Sequence, residues 1–195
     1  MTRTRRVALA LLCCAILLCS FLSIQTTLTQ KQSGGYSSVT PLTPRSYNWF
    51  RDTFSGSKSL INLLWSVDRF ACENFRYTQA ETFIVQYFDV DEFLFQKPYE
   101  GVCFQFACFC KCAILVWAEQ QGRTDIRSYV YSVELPNGDR HAFNIFCEGD
   151  TLYFIDLTTD STLFQRGDKV QGLLKINCSL EEFFQRRGYT VYDVN

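Results

Sequence analysis

Four cysteines crowd the stretch GVCFQFACFCKC, residues 101–112: Cys103, Cys108, Cys110 and Cys112. The chain has a single histidine, His141, further along. Sulfur so concentrated can hold a metal, form disulfides, pack as a small soft residue, or supply one nucleophile. Zinc asks for four converging ligands, carried on loops or Cys-x₂₋₄-Cys knuckles. If this stretch is helical, Cys108 and Cys112 share a face and Cys110 points elsewhere. Pairs at i,i+2 and i,i+4 on one helix are also poorly placed to bridge. Disulfides to Cys72, Cys147 or Cys178 stay open. No metal and no cofactor is expected, and the sulfurs within the helix default to packing. Cys103 differs from the other three. It follows a glycine and opens the expected helix, where unpaired N–H groups and the helix dipole favour an anion. A thiolate at such a place is better populated as a nucleophile.

Thiol catalysis needs a base and something to orient it. His141 opens an expected strand, and Asp156 lies near the end of the next one. Two turn lengths connect these strands. With the two-residue turn Gly149-Asp150, Glu148 faces Thr151, His141 faces Thr158, and Asp156 is diagonal to the histidine. With a four-residue turn over 147–150, His141 faces Asp156 directly. Both registers put the two side chains on one face, because the strand period is two. Asp160 and Asn144 are the substitutes for orienting the imidazole. The backbone N–H of Cys103 is the first expected oxyanion donor. Gln86, Gln96 and Trp65 are candidates for the second.

The elements that must hold these groups follow from periodicity. Apolar residues at helical spacing over 55–75 predict a helix capped by Ser57 or Ser59. Thr78 with Glu81 makes a capping-box pattern that predicts another over 78–88. A short helical turn and a loop ending at Pro98 and Gly101 come next. Residues 103–120 carry no Pro or Gly and almost no polar group, so they predict a helix buried nearly all round and stopped by Gly122. The period then changes. IRSYVYSVEL (126–135), the Asn137-Gly138 turn, RHAFNIFC (140–147) and TLYFIDLT (151–158) predict a three-strand antiparallel meander. A capped amphipathic helix over 179–189 and a last strand over 189–194 complete an α+β domain, its central buried helix packed on an antiparallel sheet.

The 195 residues suit one domain with a proper core. Hydrophobic residues make up 47% and charged residues 20%, which is a globular balance. The 18 Phe and 10 Tyr point to an aromatic core. A net charge of −1 gives no reason to propose nucleic acid as a partner. The first segment, 1–24, has three arginines and then the apolar run VALALLCCAILLCSFLSI, which reads as an export signal, either kept as a membrane anchor, the favoured reading, or cleaved as a signal peptide to leave a secreted domain. Residues 25–47, rich in Thr, Ser, Gln, Gly and Pro, read as a flexible stalk. The folded domain is expected over 48–195, outside the cytoplasm. Oligomeric state has no signature here.

GVCFQFA followed by HAFNIFCEGDTLYFIDLT resembles the transglutaminase-like superfamily, with its papain-like fold and its catalytic order Cys, His, Asp. The family pattern is Gly-x-Cys opening a helix, a His-Ala-aromatic strand, and a strand ending in Asp. Here those are Gly101–Cys103, His141–Ala142–Phe143 and Ile155–Asp156, and the NFRY segment before the cysteine also fits. Phe143 stands where the family usually has Trp, and DLTTD lacks the Pro common after the Asp. The resemblance covers roughly 58–160. It implies acyl transfer at amide bonds of a peptide or protein substrate through a Cys103 thioester, hydrolytic rather than transamidating. The rival from another class is a domain that keeps the fold as a catalytically inactive binding scaffold. A thiol redox or metal-binding protein is a second rival.

Overall fold

The computed structural model describes residues 37–78, 86–158 and 174–195. All of them belong to a compact unit that begins at Tyr36. The apolar segment 1–24 lies outside the described residues, among which no helix is long and apolar enough to cross a membrane.

Cys103–Gln120 forms the central helix. We number it α4, after α1 (Pro44–Phe54), α2 (Leu60–Asn74) and α3 (Val90–Phe95). Lys111, Leu115 and Glu119 form its one strip open to solvent, at i,i+4 spacing, and nearly everything else is buried. It ends in a Schellman motif: Gly122 takes φ +63, its N–H bonds to Glu119 O, and Arg123 N–H bonds to Ala118 O. Helices α1 and α2 cover one side of α4, and strands β5 (Ile126–Glu134) and β6 (Arg140–Glu148) cover the other. Trp117 Nε1 donates to Ser57 O at 2.9 Å, tying the far end of α4 to the loop before α2.

Strands β5, β6, β7 (Thr151–Ile155), β8 (Leu174–Ile176) and β9 (Thr190–Val194) make one antiparallel sheet in the order β8-β7-β6-β5-β9. Alternation splits its side chains cleanly. Val130, Ala142, Phe146 and Ile155 face the helical layer that contains α4. Val133, Phe143, Ile145 and Phe154 face the other way, against Phe183 and Phe184 of α5 (Leu180–Arg187). Ser179 caps α5 and Gly188, at φ +65, ends it. The sheet is therefore covered on both faces, and the α+β class holds.

The structure departs from the sequence expectations at four places. The domain does not wait for Asn48: Ser37–Val39 is a strand, β1, and α1 starts at Pro44. Thr43 caps α1, with Pro44 in its first turn and Ser46 returning the bond to the Thr43 N–H. The Thr-Pro pair that reads as stalk is a helix start. The helix expected over 78–88 is a strand at its described end, β3 (Gln86–Phe88), parallel to β1; residues 79–85 lie outside the described residues. The expected loop before Gly101 contains β4 (Tyr99–Gly101), parallel to β2 (Phe75–Tyr77). Three-residue strands leave no periodicity to read, and only the pairing partner makes them strands. Finally, β7 ends at Ile155 and does not run to Thr158.

Between α4 and its helical cover lies a packed set of rings. Phe109 stacks on Phe70 at 5.6 Å, meets Phe75 edge-on at 4.9 Å, and lies 5.2 Å from Phe50. Its exposure is nil. Phe109→Ala should cost about 3–5 kcal/mol of stability, because a cavity ringed by aromatics cannot collapse. A urea unfolding curve measures this, with the midpoint falling at unchanged slope.

Candidate active site

Cys103 is the first residue of α4, and Val102 is its N-cap. Valine has no side-chain acceptor, so Val102 does not cap the first-turn amides. Its own N–H donates to Gln105 Oε1 at 3.1 Å. The helix start at the sulfur is the end at which an anion is favoured. Gly101 must be small there: a Cβ on it would sit 3.1 Å from Gln105 Cβ and 3.4 Å from Phe106.

The β6–β7 turn decides where the carboxylate falls. Glu148 pairs with Thr151, so the loop is the two residues Gly149-Asp150, with Gly149 at φ +58. Of the two registers open in the sequence, this is the one with Asp156 diagonal to the histidine. The ladder stops at Asn144 opposite Ile155, and Asp156 lies one residue past it. There Asp156 Oδ2 meets His141 Nε2 at 2.6 Å. Cys103 also acts on the ring, raising its pKa together with Asp156. With Nε2 engaged by the carboxylate, Nδ1 is the nitrogen left for the sulfur. The structure thus gathers Cys103, His141 and Asp156 in one cluster, its hydrogen bond being the one between His141 and Asp156. Cys103 and Asp156 are buried, while the His141 side chain keeps 19% exposure.

The second oxygen of the carboxylate is also engaged. Asp156 Oδ1 accepts from Thr158 N–H at 2.9 Å and from Thr158 Oγ1–H at 2.8 Å. Thr158 stands opposite His141 in the sequence reading but has no role in the site there. Its signal was an Asx-turn pattern, an aspartate whose side chain reaches the backbone two residues on.

Burial pushes the imidazole toward its neutral form. The hydrogen bond to Asp156, with the influence of Cys103 and the charges the two carry, outweighs that and raises the His141 pKa to about 10. The ring is therefore an imidazolium through the neutral range. The thiols of Cys108, Cys110 and Cys112 behave oppositely: burial raises all three well above the ordinary cysteine value, which leaves them inert. All seven cysteines among the described residues are free. Among the same residues no group of three or more His, Cys, Asp or Glu gathers as metal ligands.

Of the substitutes for orienting the imidazole, Asn144 is used elsewhere. It sits on the helix-facing side of β6, fully buried, and its Nδ2 donates to Ala107 O at 2.9 Å. It ties α4 to the sheet one turn below the sulfur. Asp160 lies outside the described residues. For the second oxyanion donor, Trp65 is 41% exposed on α2. Gln96 opens onto a groove of about 310 Å³ shared with Asp89, Glu92, Glu100 and Gln105, which none of Cys103, His141 and Asp156 lines. The side chain of Gln86 lies outside the described residues.

No family model and no curated protein matches the chain. A solved structure from Cytophaga hutchinsonii, described as a "putative cysteine protease", is similar with a TM-score of 0.45 and 15% identity, over 77% of this chain and 47% of that one. The match spans under half of that protein, and the chemistry below rests on this chain's own residues.

The raised pKa of His141 sets a pH dependence. A folded value near 10 against an unfolded value near 6.5 means that its contribution to stability is complete below about pH 6.5. That contribution is lost as pH rises toward 10. Denaturant midpoints should fall across this window, and Asp156→Asn should flatten the fall. NMR of the only histidine in the chain gives the titration directly.

Proposed function

We propose that this domain is a thiol acyl-transfer enzyme acting on amide bonds of a peptide or protein, with Cys103 as nucleophile, His141 as acid and base, and Asp156 as the group that orients His141. The observation that carries the reading is the His141–Asp156 pair beside the sulfur. Cys103 opens α4 and acts on an imidazole whose Nε2 is 2.6 Å from a buried carboxylate. The finer fold that goes with it is papain-like and transglutaminase-like. It is supported by the order of helix-borne Cys, strand-borne His and Asp at a strand end.

In the first half-reaction the Cys103 sulfur attacks the amide carbon. A C–S bond forms and the carbonyl oxygen takes the negative charge. The backbone N–H groups at the start of α4 are the donors for it. Nδ1–H of the His141 imidazolium then gives its proton to the leaving nitrogen as the C–N bond breaks, which leaves a thioester and a neutral imidazole. In the second half, neutral His141 takes a proton from water as the oxygen attacks the thioester. A C–O bond forms, the C–S bond breaks, and thiolate and imidazolium are restored. An amine in place of water would give transamidation. We favour hydrolysis because the transglutaminase-like resemblance implies it; the 19% exposure of the His141 side chain would admit water and a small amine alike.

The proposal extends to location. The basic start and apolar run of residues 1–24 support export, with the domain tethered outside the cytoplasm.

At neutral pH, iodoacetamide should label Cys103 ahead of Cys72, the exposed cysteine of the described residues, and His141→Ala should remove that preference. Peptide-resolved mass spectrometry reads both. Against a library of peptide amides, His141→Ala should lower turnover about 10²–10⁴-fold. Cys103→Ala should abolish both hydrolysis and amine incorporation. Equal, slow labelling of all thiols would sink the enzyme reading and favour an inactive scaffold.

A further inference from the structure

Asp156 lies past the end of the β6–β7 ladder, so no strand pairing at its own position holds it. The terminal torsion of an aspartate is broad, and a carboxylate takes its direction from what binds it. Here each oxygen has a separate task. Oδ2 meets His141, while Oδ1 receives two donors from one residue, the N–H and the hydroxyl of Thr158. Asp156 and Thr158 are each 4% exposed, so water cannot stand in for either donor. With Oδ1 held twice, rotation of the carboxylate away from the imidazole would break two further bonds in a dry site.

We infer that Thr158 is a positioning residue of this assembly: it holds Oδ1 of Asp156 so that Oδ2 stays on His141 Nε2. This rests on the acyl-transfer reading. The two donors do different work. The N–H bond closes a tight local turn that any residue except proline can make. The hydroxyl bond is particular to threonine or serine. Without it the carboxylate gains freedom, the imidazolium loses part of its counter-charge, and the sulfur loses part of the positive partner that keeps it reactive.

The test uses the full chain and four variants. Thr158→Val keeps the shape and the N–H but removes the hydroxyl donor. Iodoacetamide labelling of Cys103 at pH 7 should slow about three- to tenfold, the worth of one buried hydrogen bond. The titration of the single histidine, followed by NMR, should move down. Thr158→Ser should restore both. In an Asp156→Asn background, Thr158→Val should change the labelling rate no further, since the two act through one contact. A residue of merely structural use would lower the unfolding midpoint yet leave the titration and the labelling rate where they were, and that result overturns the inference. If Thr158→Val does not fold, Thr158→Ala takes its place. Failure of both to fold assigns the hydroxyl to structure alone and likewise overturns it. Failure of the enzyme reading looks different: Cys103 of the native chain would label no faster than Cys72, whatever stands at 158.

Discussion

A helix with almost no polar surface must be covered on nearly every side, and that requirement organises this molecule. Helix α4 runs for 18 residues with one narrow solvent strip. Between its two end turns its backbone is satisfied internally, so the main cost that remains is apolar area in water, and each large side chain removed from water contributes about 1.5–3 kcal/mol. One side takes the aromatic layer of α1 and α2, the other the inner face of β5 and β6. Once both layers are in place the helix has no freedom to slide. Asn144 adds one directional bond to Ala107 across an otherwise oily contact. The N-terminus of α4, and the sulfur on it, is thereby set against the strand that carries His141.

The sheet contributes in a different way. Its two faces serve two cores, and the histidine strand lies between them. A one-residue slip in β6 would exchange the two faces, driving Phe143 and Ile145 into the space shaped for Ala142 and Asn144 and moving the imidazole off its partner. Packing of α5 on Phe143 and Phe154 therefore guards the register from the side away from α4. On that same side Tyr189 packs on Phe143 at 5.9 Å. The site is maintained by two separate cores that share a sheet.

Much of this was legible in the chain. The span of α4, the Asn137-Gly138 hairpin and the capped helix after Ser179 follow from long patterns and strong turn residues. The candidate triad was legible for the same reason: Cys103, His141 and Asp156 each sit at an end of a strongly patterned element. Short elements were not legible. β1, β2, β3 and β4 have three residues each and exist as parallel pairs, so nothing in their own sequence marks them. Helix α1 was hidden by the Thr, Ser and Pro before it, although Thr43-Pro44 is itself a start signal. Thr158 was hidden because a hydroxyl donor to a carboxylate has no periodicity.

What the chain determined by itself is the list of parts: a sulfur at a helix start, an imidazole on a strand, a carboxylate at a strand end. Local physics suffices for these, since caps, turns and hydrophobic period act within a few residues. Tertiary structure decided how they meet. It chose the two-residue turn over the longer one, ended β7 at Ile155, and turned Asn144 inward to the helix and Asp156 toward the histidine. It also set the charge of the imidazole, because a pKa depends on neighbours and burial that come from residues far apart in sequence. Alternation along a strand leaves two registers equally good, and only packing on both faces of the sheet separates them.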